Sequence, residues 1–312
     1  MNLIPPCEVI NIQWGWLSML RDRVWLYSTK PVIRAPLEAR LVEIMELMAR
    51  HGIRRVMILD GVRPSFISID TVIRVLASTD YRKIETLEAA YLPLEVPPIL
   101  HESMSVIEAV LLLMGSKKDY GIVLNNEESI LTVRDVLKAV EKHDIELPVI
   151  SCSLRRYPAI RTTASIHEAV KLMARYNVRA LLVADPGGST YRVYGYLDSR
   201  KIIEFIAKMG SEALMLRVDQ LYEPIKSRVE PGDTMSRAAK ILAYTNAPLG
   251  VITVGDYIVG VVDEMGILES ITCTITKCSR CEYMMYERRA DLLEEKRTML
   301  QYTKTPLSHL TA

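Results

Sequence analysis

Seven residues in mid-chain, Ser129-Ile-Leu-Thr132-Val-Arg-Asp135, set a hydroxyl and a carboxylate three positions apart, where an extended stretch runs into a helix. Thr132 stands at the cap and Asp135 in the first turn, so both polar groups point out of the helix start. A carboxylate there can accept from a bound diol. The partial positive charge of a helix N-terminus favours a nearby anion. The same two residues also make an ordinary cap, worth about 1 kcal/mol with no ligand at all.

Other chemistry is sparser. Cys273-Thr-Ile-Thr-Lys-Cys278-Ser-Arg-Cys281 could supply three zinc thiolates, with His309 as a fourth ligand. A zinc ribbon needs a second Cys-x-x-Cys and an iron–sulfur site a fourth cysteine further on, and neither is present. Free thiols on a partner-binding segment are the favoured reading of Cys273, Cys278 and Cys281. The histidines (His51, His101, His143, His167, His309) fall on different elements with no recurring acid or nucleophile beside them. Neither a Gly-x-x-x-x-Gly-Lys-Ser/Thr loop nor a Gly-x-Gly-x-x-Gly loop after a strand occurs. No catalytic constellation emerges.

The elements that position Thr132 and Asp135 repeat. Their helix carries apolar residues at Val136, Leu137 and Val140, and the same spacing recurs at Val72/Ile73/Leu76, Ile202/Ile203/Ile206 and Ile267/Leu268/Ile271. From Val72 to Val136 to Ile202 to Ile267 the separations are 64, 66 and 65 residues, a period that chance rarely holds over four copies. Each unit has an earlier helix with a one-face pattern. These faces are Leu41/Ile44/Met45/Met48, Ile107/Val110/Leu111/Met114, Ile166/Ala169/Val170/Met173 and Met235/Ala238/Ala239/Leu242. Two of them open with capping boxes, Ser105 with Glu108 and Ser165 with Glu168. A proline-led extended segment precedes each helix (Pro31-Val-Ile, Pro98-Ile-Leu, Pro158-Ala-Ile, Pro224-Ile-Lys), and two strands joined by a turn follow it. The unit is strand–helix–strand–strand–helix. Its small sheet has a face to bury, so pairing first with second and third with fourth is the economical solution.

At 312 residues the chain has room for two domains with real cores. Apolar residues make up 49% and charged residues 25%, as in globular proteins. A net charge of +1 gives no global field favouring nucleic acid or an anionic membrane. Neither a membrane-spanning run nor a secretory signal is expected. Five cysteines, three of them crowded near the C-terminus, suit a reducing cytoplasm better than a disulfide framework. Gln occurs only at positions 13, 220 and 301, which points to a thermophilic, archaeal-like source, although Met is plentiful.

The array resembles the cystathionine-β-synthase (CBS) domain, whose tandem pairs are called Bateman modules. The resemblance spans residues 30 to 271, and Ser129-Ile-Leu-Thr132-Val-Arg-Asp135 matches the family's small-hydrophobic-hydrophobic-Thr/Ser-x-x-Asp junction position by position. It implies an α/β (α+β) fold of four βαββα repeats paired into two Bateman modules. The expected divisions are an N-terminal arm (1–29), module one (30–148), module two (149–271) and a Cys-containing helical tail (272–312). The arm holds all three tryptophans (Trp14, Trp16, Trp25) and is read as folded onto the first module rather than as a docking surface.

The resemblance also implies a purine nucleotide in the cleft between paired repeats. Asp135 would take the ribose hydroxyls, strand residues such as Ile99 would wedge the base, and Arg54 and Arg55 would meet phosphate beside Thr132 and Arg134. The other junctions depart from the pattern: Ser68/Thr71 has a hydroxyl for the carboxylate, Asp198/Lys201 a reversed charge, and Asp263/Gly266 no side chain. Asp198 and Lys201 with Arg179 form a candidate secondary site. The expectation is a non-enzymatic cytoplasmic sensor for AMP, ADP or ATP, with S-adenosylmethionine a further ligand. It would dimerise through its CBS modules and dock an unidentified protein. The alternatives are a ligand-free scaffold, and a nucleic-acid-associated regulator using the Cys tail with Lys277, Arg280, Arg288 and Arg289.

Overall fold

The computed structural model describes residues 21–59, 64–124, 128–142, 149, 158–187, 190–254 and 257–276. Four units follow one another. The first is β1 (Arg34–Pro36), α1 (Leu41–His51), β2 (Arg55–Leu59), β3 (Ser65–Ser68) and α2 (Ile69–Ser78). The second is β4 (Ile99–His101), α3 (Val106–Gly115), β5 (Tyr120–Leu124), β6 (Ser129–Thr132) and α4 (Val133–Lys142). The third is β7 (Ala159–Ile160), α5 (Ile166–Tyr176), β8 (Ala180–Gly187), β9 (Thr190–Asp198) and α6 (Ser199–Met209). Between it and the fourth, β10 (Glu223–Pro224) is a short strand of the linker. The fourth is β11 (Arg228–Val229), α7 (Met235–Thr245), β12 (Leu249–Val254), β13 (Tyr257–Asp263) and α8 (Glu264–Thr276).

In every unit the first strand pairs parallel to the second and the second antiparallel to the third. Helix starts follow the capping signals. Ser105 and Ser165 each form a full box with Glu108 and Glu168. Helix α1 ends at Gly52, whose φ of 62° is the left-handed value that closes a helix without a Cβ penalty.

Two first strands lie later than the proline-led segments suggest. They run Arg34–Pro36 and Arg228–Val229 rather than from Pro31 and Pro224. The reason is a crossing. Thr29 pairs antiparallel with Ile130 of the second unit, and Pro224 pairs with Gly195 of the third, before the chain turns into its own sheet. Glu95 likewise pairs with Phe66, donating and accepting at 2.8 Å. The described linkers into units one, two and four are therefore each a strand of the partner's sheet first.

The apolar faces bury as the periodicity requires, with one exception. Leu41, Ile44 and Met45 are fully buried, as are Ile166, Ala169, Val170 and Met173. In α3 the buried set is Val106, Ile107, Ala109, Val110 and Leu113, while Leu111 and Met114 are only partly covered. Residues 109–114 are all apolar, so periodicity cannot choose a face there and packing does.

Units one and two meet through their sheets, where Met57, Phe66, Tyr120 and Ile122 form a small cluster and the rings of Phe66 and Tyr120 lie 5.5 Å apart, edge to face. The helices pair the other way. Helix α1 packs on α6 and α2 on α5, joining units one and three in one core. Helix α4 packs on α7, and α8 on α3 and α4, joining units two and four in another. Each fully buried Leu, Ile or Met in these faces contributes about 1.5–3 kcal/mol. The sheet contacts and the helix contacts thus close a ring of four units. The arm's residues Val24–Leu26 form one turn against unit two, with Val24 buried and its N–H donating to Met104. Trp25 is half exposed, and Trp14 and Trp16 lie outside the described residues.

Candidate ligand-binding site

Thr132 ends β6 and Asp135 lies in the first turn of α4. The Asp135 carboxylate accepts from the Thr132 amide (3.0 Å) and hydroxyl (2.7 Å) on Oδ2. On Oδ1 it accepts from Lys138 Nζ (2.9 Å) and from the hydroxyl of Thr29 (3.3 Å), which the arm brings across β6. The side chain is 5% exposed, and its lysine partner 55%. A carboxylate so placed is surrounded by rotatable hydroxyls and one flexible cation, which an incoming diol can replace bond for bond.

The arginines lie one layer further in. In three units the first amide of the second helix donates to the carbonyl at the start of the second strand: Ile69 to Arg54, Val133 to Asp119 and Ser199 to Arg179. Arg54, Asp119 and Arg179 are therefore equivalent positions of three units, and in the second unit that position is acidic. Arg54 donates to Glu264 of α8 (2.6 Å), and Arg134 donates to the same carboxylate through Nε (2.7 Å) and to the carbonyl of Ala247 (3.3 Å). Arg55 donates to Asp119 and stacks on the Tyr120 ring, 4.4 Å from its centroid. Arg179 reaches Asp119 at 2.6 Å and Asp70 at 2.8 Å. Five guanidiniums, counting Arg200 with Asp198 and Asn246, converge with four carboxylates where the units meet.

The electrostatics follow from burial and pairing. Burial pushes the Glu264 carboxyl upward, but Arg54 and Arg134 outweigh it and hold it at about 2, against an ordinary 4.5. Asp119 is likewise lowered, since Arg179 and Arg55 overcome its burial. Arg134 is itself lowered, first by desolvation and then by the like charges of Arg54 and Arg200, despite Glu264.

The structure thus brings Thr132 and Asp135 together, and it joins Arg54, Arg55, Arg134 and Arg179 in an ion-paired centre. Ile99 starts β4, half exposed, opposite Ile122. Asp198 caps α6 through the Arg200 amide (2.9 Å), and Lys201 turns to Glu204 (2.9 Å). Cys273 falls in α8, while Cys278, Cys281 and His309 lie outside the described residues, as do Lys277, Arg280, Arg288 and Arg289. Among the described residues there is no group of three or more His, Cys, Asp or Glu side chains placed to hold a metal, and no helix long and apolar enough to cross a membrane. Sequence reasoning passed over Asp70, Asp119, Glu264 and Glu95. The available signal was an acid, Asp119, at a position where two other units carry arginine.

The CBS-domain family model matches residues 23–78 and 145–208. No curated protein matches the chain by sequence. Among solved structures, protein MJ1225 from Methanocaldococcus jannaschii, proposed as an archaeal homologue of g-AMPK, is 15% identical with a TM-score of 0.68, over 80% of this chain and 99% of that one. An uncharacterised conserved protein from Pyrococcus horikoshii is also 15% identical, with a TM-score of 0.54 over 79% and 98% of the two chains. Family match and architecture agree. The chain is a CBS-domain protein with paired CBS motifs.

Proposed function

We propose that the protein is a non-enzymatic nucleotide sensor that binds AMP, ADP or ATP between its first two repeats, with the ribose on Asp135. The observation that carries this reading is the Asp135 carboxylate itself, held at a helix start by Thr132, Thr29 and Lys138 rather than by a buried arginine. The MJ1225 relationship to g-AMPK supports the same direction. In this reading residues 30–148 and 149–271 act as two modules, through which the protein pairs with a second copy, and an unidentified protein is the docking partner. Ligand-dependent packing of the modules makes it a switch, since a ligand shifts an equilibrium only by its differential affinity. Isothermal titration of ligand-free protein with AMP, ADP, ATP and S-adenosylmethionine tests it. Heat with at least one is expected, and no heat with any overturns the reading.

The ion-paired centre favours a second reading, a scaffold that needs no ligand. Arg54 and Arg134 share Glu264, and Arg55 and Arg179 share Asp119, so these guanidiniums are neutralised from within the chain. If nucleotides produce no heat but the protein still captures a partner through its arm or tail, the scaffold reading replaces the sensor.

A further inference from the structure

A phosphate attached to a ribose on Asp135 would look for cations near the start of α4, and the residue before Asp135 is Arg134. Its guanidinium is already engaged. Arg134 donates to Glu264 Oε1 (2.7 Å), and Arg54 donates to Oε2 of the same carboxylate (2.6 Å). Two guanidiniums on separate oxygens of one anion is also how arginines grip a phosphate. In this chain the anion in that grip is a side chain of the fourth unit.

The remaining guanidiniums of the centre are taken in the same way. Asp119 Oδ2 accepts from Arg55 and from Arg179 (2.6 Å), Asp70 from Arg179 (2.8 Å), and Asp198 from Arg200 (2.7 Å). Five guanidiniums thus face four carboxylates, and none of the five is more than 22% exposed. Burial pushes the carboxyls upward, yet the paired guanidiniums outweigh it, holding Glu264 at about 2 and lowering Asp119 and Asp70. All three are therefore charged at neutral pH. A phosphate drawn to these arginines would sit beside a like charge in poorly hydrated surroundings, or would strand the carboxylate it displaced.

The start of α4 offers far less charge. Lys138, 55% exposed, rests on Asp135 Oδ1 at 2.9 Å. Once ribose hydroxyls take that oxygen, Lys138 is released beside the ligand. With the partial positive charge of the helix N-terminus it can meet a single phosphate.

We propose that Glu264 and Asp119 are the chain's own anions at these arginines and set the ligand class of the Asp135 site as a nucleoside or its monophosphate, to the exclusion of polyphosphates. This assignment rests on the nucleotide reading of Asp135 and narrows it. Glu264 is the determinant nearest the site, because it occupies Arg134. A longer phosphate chain finds no unpaired guanidinium in the centre and adds repulsion instead.

Isothermal titration of nucleotide-free full-length protein with adenosine, AMP, ADP and ATP at equal ionic strength tests it. In wild type AMP is expected within about fivefold of adenosine, since one exposed lysine adds little. ADP and ATP are expected to bind no more tightly than AMP. Glu264→Gln keeps the shape and removes the charge, and is expected to raise the affinity of ATP relative to adenosine by about tenfold or more, as a like-charge contact is relieved. Asp119→Asn is expected to shift the same ratio in the same direction, and the wild-type series stands by itself where either variant folds poorly. ATP binding more tightly than AMP in wild type overturns this proposal and leaves the Asp135 reading standing. A ratio that stays at its wild-type value in folded Glu264→Gln overturns it as well. No heat with any of the four ligands overturns both.

Discussion

Two carboxylates open corresponding helices, Asp135 in α4 and Glu264 in α8, and both are almost fully buried, at 3% and 5% exposure. Their partners differ in kind. Asp135 is held by an amide, two hydroxyls and one exposed lysine. Glu264 is pinned between two guanidiniums whose side chains are 10% and 22% exposed. A hydroxyl can turn away and let a ligand's hydroxyl take its place at little net cost. An arginine cannot leave Glu264 without stranding two desolvated charges. A carboxylate in the first turn of corresponding helices therefore does opposite work: Asp135 can be exchanged onto a ligand, and Glu264, two positions earlier in its helix, locks units one, two and four together.

Removing each carboxylate separates the two roles. Glu264→Ala leaves Arg54 and Arg134 buried without a counter-charge and is expected to cost about 3–5 kcal/mol in urea unfolding, the scale of a broken buried pair. Asp135→Ala removes a cap and is expected to cost about 1 kcal/mol. Equal costs would erase the distinction. Lys138→Ala should change stability least, by under about 1 kcal/mol, because its ion pair is exposed.

Acid titration sharpens the contrast. The Glu264 carboxyl is lowered from 4.5 to about 2, so the stability it contributes is fully present above about pH 4.5 and is lost as pH falls through about 2. Between those values the unfolded chain binds the extra proton, and stability should decline with pH more steeply in wild type than in Glu264→Gln. Urea midpoints across that window check it. Parallel slopes would mean the guanidiniums do not hold this carboxylate down.

Much of this architecture was legible because it rests on local patterning. Spacing of apolar residues located all four units, and Ser105 with Glu108 and Ser165 with Glu168 marked two helix starts that the structure forms as full capping boxes. The face of α3 was not legible, since a helix apolar from Ala109 to Met114 offers no preferred side. Nor was the helix pairing of α1 with α6 and α4 with α7, because amphipathic faces advertise that they will be buried without naming a partner. At the site, Thr132 and Asp135 are neighbours in sequence and could be read together. Glu95 lies 24 residues from Thr71, and Glu264 lies 130 from Arg134, so only the folded backbone brings them into register. Arg54 and Arg55 looked like free phosphate ligands because the acids that meet them, Glu264 and Asp119, stand in other repeats.

Thermal unfolding with and without AMP separates an Asp135 that holds a ligand from one that holds only a helix. A ligand that binds only the folded state stabilises it in proportion to log concentration above its Kd. Saturating AMP is expected to raise the Tm of wild type and to leave Asp135→Ala with a clearly smaller shift, from a starting Tm only slightly lowered. An AMP-induced shift of equal size in both proteins would contradict it.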